Sequence, residues 1–382
     1  VIKGILYASL GPPNGYGVAA KAYMLAFRDA GIPVSWVPMV RGGSWGLGYE
    51  PGFGTATDDA DLGSLCNAPV EYDTVIVHTV PEWFPPWAAL ERGRRVIGCT
   101  VWETDRLRDD WPALLGAVDR VVVPTRWNRD TIVDSGAEVP VDVVPYVARD
   151  FGPSGGLRLP GVTPEDFVFY SIGVWTSRKA LDLTVEAFLR AFDADDEAVL
   201  VLKTGATDLA RGALGLLVVP TRRRVRGLQR RLRSGARVVV HGGDVGEAEI
   251  AALHERGDCY VSLTRAEGWG LGAFEAAAAG NPVIITGFGG QREFLPVELA
   301  YFVDYELCPA RALGVERRVY RGEHRWAEPS VEHGVALMRH VFEHRQEARR
   351  RGKALQEHVR REFAAERVVQ QFMRSIEKTP VP

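Results

Sequence analysis

Short runs of apolar, largely β-branched residues alternate along this chain with longer stretches whose apolar positions recur every three or four residues. The short runs are near-continuous rather than alternating, the pattern of parallel strands buried on both faces. The spacing predicts strands over Ile2–Ser9, Thr74–Thr79, Arg95–Val101, Arg120–Pro124 and Val141–Pro145. A second set falls at Phe167–Gly173, Ala198–Lys203, Arg237–His241, Cys259–Leu263 and Val283–Thr286. Between them, Val18–Asp29 and Leu181–Ala191 carry apolar residues on one helical face, as Leu181, Val185, Phe188 and Leu189 do. The fold class this predicts is α/β, with two parallel sheets built from βαβ units. The sets are separated by "VARDFGPSGGLRLPGVTPED", residues 147–166, rich in Gly and Pro and without a period. It reads as an interdomain linker. From Val331 to Lys378 the chain reads as helical, and Leu355, Val359, Phe363, Val369, Phe372 and Ile376 give it an apolar stripe that needs a partner.

A length of 382 residues suits two such domains. The 46% hydrophobic and 25% charged content is that of an ordinary globular protein. A net charge of −3 argues against a nucleic-acid partner. Cys66, Cys99, Cys259 and Cys308 form no C-x-x-C pair, which argues against a disulfide framework or structural zinc and fits a reducing cytoplasm. No apolar run approaches a membrane span. The opening "VIKGILYASLGPP" reads as a first buried strand rather than a signal peptide.

Ligands of open α/β sheets bind beyond the carboxyl ends of the strands, and a cleft between two such domains is the expected site. The richest candidate loop is "TRAEGWGLGAFEAAAAGNPVIITGFGG", residues 264–290. Glu267 stands in its glycine-rich part, Gly270 precedes a helix over Leu271–Ala279, and Glu275 lies one turn inside that helix. The bare amides of Leu271 and Gly272 at a helix N-terminus suit a phosphate. A carboxylate beside a phosphate is repelled, so Glu275 and Glu267 suit sugar hydroxyls better. After Phe167–Gly173, Arg178 and Lys179 sit where the helix dipole opposes them, so a negative partner such as a diphosphate is expected. Lys203, after "AVLVLK", is a candidate for the same cluster. The first glycine loop, "GPPNGYGVAAKAY", brings Gly17 close to the dinucleotide fingerprint. The next strand, "PVSWVPMV", lacks the acidic residue that fingerprint requires. His78, Trp83, Phe84 and Trp87 follow one strand, and Trp102, Glu103 and Asp105 another.

Two other patterns lead nowhere. "HVFEH" at 340–344 spells H-x-x-E-H without a third zinc ligand. The seven arginines of residues 222–233 read as a solvated helix face, remote from the aromatic loops.

The block "EGWGLGAFE" resembles the E-x(7)-E motif of retaining GT-B glycosyltransferases of sugar-transferase family four. "AAAAGNPVIITGFGGQREFL", "DRVVVPTRWNRDTIVDSG" with "VDVVPYV", and "SIGVWTSRKALDLTVEAF" are also similar to that family, to about Phe372. The resemblance implies two Rossmann-like domains facing a central cleft. The N-terminal acceptor domain would span 1–155 and be joined by a crossover helix at 360–382, and the donor domain would span 156–359. It implies transfer of a sugar from a UDP- or GDP-sugar, uridine favoured, to a hydroxyl or amine of a small-molecule or glycan acceptor, with retention and without a metal. Glu275 would hold the ribose, and Arg178 and Lys179 the diphosphate, joined by the Leu271 and Gly272 amides, with Gly17 approaching from the other domain. Glu267 would contact the donor sugar, and the base would sit near residues 241–245. Where the family often carries a histidine, this chain has Trp102 and Glu103, leaving Glu103 or His78 for the acceptor side. A nucleotide-sugar epimerase and a non-catalytic nucleotide-sugar-binding protein are the alternative readings. The first domain shows no basic amphipathic helix for membrane docking.

Overall fold

The computed structural model describes residues 2–151, 156–157, 159–209, 219–243 and 245–379. The chain forms two compact units. The first comprises residues 1–102, 106–148 and 362–382, and the second residues 103–105 and 149–361.

The sheet of the first unit is built from β1 (Ile5–Ser9), β2 (Val34–Arg41), β3 (Tyr49–Pro51), β4 (Thr74–His78), β5 (Arg95–Cys99), β6 (Arg120–Val123) and β7 (Val141–Val143). Its order is β3-β2-β1-β4-β5-β6-β7, parallel throughout except for the short β3, which runs antiparallel to β2. The helices are α1 (Gly15–Asp29), α2 (Phe84–Leu90), α3 (Trp111–Leu115) and α4 (Arg126–Asp134). β1, β4 and β5 are buried at every position, which explains their apolar runs.

The second unit has a six-stranded parallel sheet in the order β10-β9-β8-β11-β12-β13. These are β8 (Phe167–Ile172), β9 (Ala198–Thr204), β10 (Arg237–Gly242), β11 (Cys259–Ser262), β12 (Val283–Thr286) and β13 (Tyr301–Val303). The sequence reading lacks β13, whose three residues give too short a run to stand out. It also lacks the antiparallel hairpin of β14 (Tyr305–Arg311) and β15 (Arg321–Pro329), where β14 is mostly exposed and has no regular apolar pattern. Helices α5 (Leu181–Ala191), α6 (Thr221–Leu232), α7 (Glu247–Arg256), α8 (Leu271–Ala279), α9 (Val331–Glu343) and α10 (Arg345–Glu362) accompany it. The alanine-rich α8 is buried over residues 273–278 and ends at Gly280, whose φ of 93° makes the left-handed cap that glycine takes without strain. The linker predicted at 147–166 contains residues 152–155 and 158, which lie outside the described residues.

In each sheet the strand order reverses once, between β1 and β4 and between β8 and β11. Adjacent loops diverge there, leaving a crevice at the strand carboxyl ends where ligands of this architecture bind.

The last helix, α11 (Ala365–Glu377), packs on α1 within the first unit. Its buried residues Val368, Val369, Phe372, Ser375 and Ile376 follow the helical period, which is the stripe read in the sequence. Phe372 is fully buried and meets the rings of Tyr23 and Phe27 edge-on, each at 5.2 Å between centroids. Arg95 donates to the Ile376 carbonyl at 3.1 Å, and Ser375 donates to Asp142 at 2.6 Å. No described helix is long and apolar enough to cross a membrane. Truncating Phe372 leaves a cavity between α1 and α11, so Phe372→Ala should lower the stability of the protein by about 3–5 kcal/mol in urea or thermal unfolding.

Candidate functional site

The loops after β8, β11 and β12 meet at the reversal point of the second unit and are laced together through the backbone. Arg265 donates its amide to the Arg178 carbonyl at 2.8 Å, and the Arg178 guanidinium donates to the Ala266 carbonyl at 2.8 Å. The Gly290 amide donates to the Glu267 carbonyl at 2.7 Å. Gly289 allows that approach: its φ is 98°, and a Cβ there would lie 2.6 Å from the Glu267 carbonyl oxygen.

This lacing places Glu267 at the centre of a charged cluster. Its side chain is only 8% exposed. Lys179 Nζ donates to its two oxygens at 2.6 and 2.8 Å, Arg178 donates at 3.2 Å, and the Thr264 hydroxyl donates at 3.2 Å. Burial pushes the carboxyl up, but Lys179 and Arg178 outweigh it and hold Glu267 below the usual carboxylate range. Arg178 is further surrounded. Its Nη2 lies 3.6 Å from Glu103, and its Nε lies 3.6 Å from Glu316, which also accepts the Arg178 amide at 3.0 Å. Glu103 accepts the Tyr320 hydroxyl at 2.8 Å. Desolvation opposes the Arg178 charge, yet Glu103, Tyr320, Glu267 and Glu316 raise its pKa well above the ordinary value. The Arg178 Nε is buried and makes no hydrogen bond among the described residues.

The expectation that Arg178 and Lys179 await an outside counter-charge is therefore corrected. The protein supplies three carboxylates, Glu267 from the β11 loop, Glu103 from the segment after β5, and Glu316 from the turn of the β14–β15 hairpin.

Glu275 belongs to a second group. It is buried and ion-paired with Arg149, and its other oxygen lies 3.6 Å from His254 Nε2. Burial raises its pKa, and Arg149 with His254 bring it below the usual range. Arg149 also pairs with Glu247 at 2.9 Å and covers the Phe151 ring at 4.7 Å. His254 is held through Nδ1 by the Tyr170 hydroxyl at 2.8 Å, while its buried Nε2 makes no hydrogen bond among the described residues. A cavity of about 220 Å³ opens beside this group, lined by Arg149, Phe151, His254 and Arg360 among others. Between Glu267 and Glu275, Gly270 adopts a left-handed conformation and α8 starts at Leu271 with no side chain capping it. The first-turn amides, those of Leu271 and Gly272 included, thus end in a positive dipole without a side-chain acceptor.

Lys203 stands at the end of β9, beside β8, and donates to the Gly243 carbonyl at 2.9 Å. Of the stretch expected to hold a base, residue 244 lies outside the described residues. His241 lies 3.6 Å from Glu249.

Gly17 and His78 belong to the first unit. The Gly17 amide is not bare: it donates to the Asn14 side chain at 2.9 Å, capping α1. A Cβ at Gly17 would lie 2.3 Å from the Gly11 backbone, so glycine is required there by packing alone. His78 ends β4 at the reversal point, 1% exposed, with Nδ1 on the Tyr7 hydroxyl at 2.7 Å and the rings of Tyr16, Tyr23 and Tyr146 around it. Burial pushes its pKa down to about 3, so at neutral pH the ring is uncharged.

Arg149, His254, Glu316 and Tyr320 have no counterpart in the sequence reading. Arg149 follows β7 inside the apparent linker, and Glu316 and Tyr320 sit in the unpredicted hairpin. Among the described residues no group of three or more His, Cys, Asp or Glu is placed to hold a metal ion.

The model of a glycosyltransferase family, family 4 glycosyltransferases in conflict systems, matches residues 160–372. No curated protein sequence matches the chain. Among solved structures, sucrose-phosphate synthase from Thermosynechococcus elongatus superposes with a TM-score of 0.68 at 15% identity, covering 98% of both chains. HepE of Anabaena, crystallised with UDP and glucose, gives 0.67 at 14% identity over 98% of this chain and 100% of its own. An Escherichia coli trehalose-6-phosphate protein bound to UDP-2-fluoro glucose gives 0.63 at 12% identity over 99% and 100%. At such identities the likeness is one of fold, and that fold is GT-B.

Two pH dependences follow. His78 is neutral when folded and binds a proton near pH 6.5 when unfolded, so the stability it contributes is full above pH 6.5 and lost as pH falls toward 3. The loss should be about 1.4 kcal/mol per pH unit in that window, and His78→Gln should remove it in unfolding titrations between pH 7 and 4.5. The pKa of Glu267 is also lowered, here because Lys179 and Arg178 favour its charged form over the desolvation that opposes it. Its contribution is present above its ordinary value of 4.5 and lost as pH falls through the depressed folded value. Glu267→Gln should therefore destabilise the protein by about 3 kcal/mol at pH 7. That gap should narrow in melts recorded at successively lower pH below 4.5.

Proposed function

Because the chain belongs to the family 4 glycosyltransferases of conflict systems, we propose that it moves a sugar from a nucleotide diphosphate sugar to an acceptor hydroxyl or amine, with retained anomeric configuration and without a metal. UDP is the favoured nucleotide, since HepE and the Escherichia coli protein are complexed with UDP or UDP-sugars. The observation that carries this reading is the buried Glu267–Lys179–Arg178 cluster beside the uncapped N-terminus of α8.

In this reading Arg178 and Lys179 hold the diphosphate, with the Leu271 and Gly272 amides and Lys203 in support. Glu275 accepts from the ribose hydroxyls, and Glu267 from the donor sugar. During transfer the bond from the anomeric carbon to the phosphate oxygen breaks, and its electron pair goes to the diphosphate. The acceptor oxygen bonds to the anomeric carbon on the same face, and its proton passes to the departing phosphate oxygen. The charge that grows on the diphosphate is met by two fixed cations and a helix dipole, which need no reorganisation at the moment of reaction. Two cations against Glu267, Glu103 and Glu316 leave a formal charge of −1 around Arg178. The α8 N-terminus is for that reason an essential part of the anion site, because it adds positive potential without a counter-ion. Glu103, on Arg178, is the candidate for contact with the acceptor. His78, buried and neutral, serves that side through its packing.

Thermal melting with UDP, GDP, ADP and dTDP tests the donor site. At about one hundred times its Kd the correct nucleotide should add about 2.7 kcal/mol. UDP should give this shift, and Arg178→Ala and Glu275→Ala should abolish it while remaining folded. A folded parent that binds no nucleotide would end the proposal. The anomeric configuration of the product, read by NMR, tests retention.

A further inference from the structure

The β14–β15 hairpin does more than supply Glu316 and Tyr320. On its other side an open cavity of about 500 Å³ is lined by Arg311, Ala312, Arg317, Arg318 and Tyr320. Arg311 ends β14, while Arg317 and Arg318 come from the turn Gly314–Arg318, so arginines from two elements line one cavity. All three are exposed, so water screens their mutual repulsion, and an anion bound among them would relieve what remains. The hairpin's own acids are engaged elsewhere or do not line the cavity: Glu316 is on Arg178, and Glu328 is on Arg265. Among the described residues the Arg311 and Arg317 side chains enter no hydrogen bond or ion pair, which leaves their planar donor sets available.

The cavity is also joined to the transfer site. Tyr320 lines it and, through its hydroxyl, donates to Glu103, which lies beside Arg178, itself on Glu267. A ligand anchored here by an anionic group would stand one side chain, Tyr320, away from Glu103 within the same unit. Guanidinium clusters favour oxyanions of phosphate geometry, which they engage with paired donors.

We propose that Arg311, Arg317 and Arg318 form a phosphate-binding subsite that anchors a phosphate-bearing acceptor beside the donor site. This rests on the transferase reading and extends it by giving the acceptor's chemical class.

The test holds the full chain at saturating UDP, so that the diphosphate-binding groups are filled, and follows melting as inorganic phosphate is added. The parent should show a saturable upward shift. In Arg311→Gln/Arg317→Gln the midpoint of that shift should rise at least tenfold, with the UDP Kd within twofold of the parent. No saturable shift in the parent, or an unchanged midpoint in the variant, overturns the subsite. Paired ligands then separate a free ion from an acceptor: glucose and glucose 6-phosphate, glycerol and glycerol 3-phosphate, uridine and uridine 5′-monophosphate. At least one ester should bind tenfold or more tighter than inorganic phosphate and lose that advantage in the variant. A response confined to inorganic phosphate across the panel overturns the acceptor role. If the parent fails to bind UDP, the donor assignment falls, while the comparison of parent and variant with phosphate still decides the cavity.

Discussion

A carboxylate that is both buried and ionised organises the second unit. Taking the Glu267 charge out of water carries a penalty of several kcal/mol that only close, well-made partners offset. Its partners, Lys179, Arg178 and Thr264, lie on two different loops, so those loops have to be held in register. The backbone bonds from Arg265 to Arg178 and from Gly290 to Glu267 do this, and Gly289 makes the second one sterically feasible. Arg178, desolvated in turn, requires Glu103 and Glu316, which ties the segment after β5 and the β14–β15 hairpin to the same point. One buried charge thereby fixes the geometry of five stretches of chain.

The first unit handles the reversal point of its sheet by the opposite chemistry. His78 ends its strand at the reversal point as buried as Glu267, but it is surrounded by tyrosine rings and a single hydroxyl partner rather than by opposite charges. The ring sheds its proton, whereas the carboxylate keeps its charge and recruits cations. A proton-transfer role at neutral pH therefore fits His78 poorly, and a cation-coupled role fits Glu267 well.

The parts of the site that could be read in the sequence are those carried by contiguous chain. "EGWGLGAFE" contains its own strand end, glycine turn and helix start, and Arg178-Lys179 follows an apolar run that could only be a buried strand. The central strands of both domains were legible for the same reason, that burial on two faces leaves unbroken apolar runs, while β13 and the β14–β15 hairpin were not. Arg149, Glu316 and Tyr320 were not, because each reaches its partner from a segment with no periodic signal: an irregular connection in one case, an exposed hairpin in the others. The resulting error concerned charge. Arg178 and Lys179 looked unbalanced from their neighbours in sequence, and the carboxylates that balance Arg178 lie from 75 to 138 positions away, Glu103 before it and Glu267 and Glu316 after it.

The packing of α11 on α1 bears on how the protein is made. The first unit is the earlier of the two in sequence, yet its core includes Phe372 and Ile376. During synthesis, Tyr23 and Phe27 therefore emerge from the ribosome 349 and 345 residues before Phe372, the side chain that covers them. At about 5–20 residues per second, that surface stays open for roughly 20 to 70 seconds while the whole second unit is translated. The later unit can complete its core first, and the earlier one is closed after it, by α11.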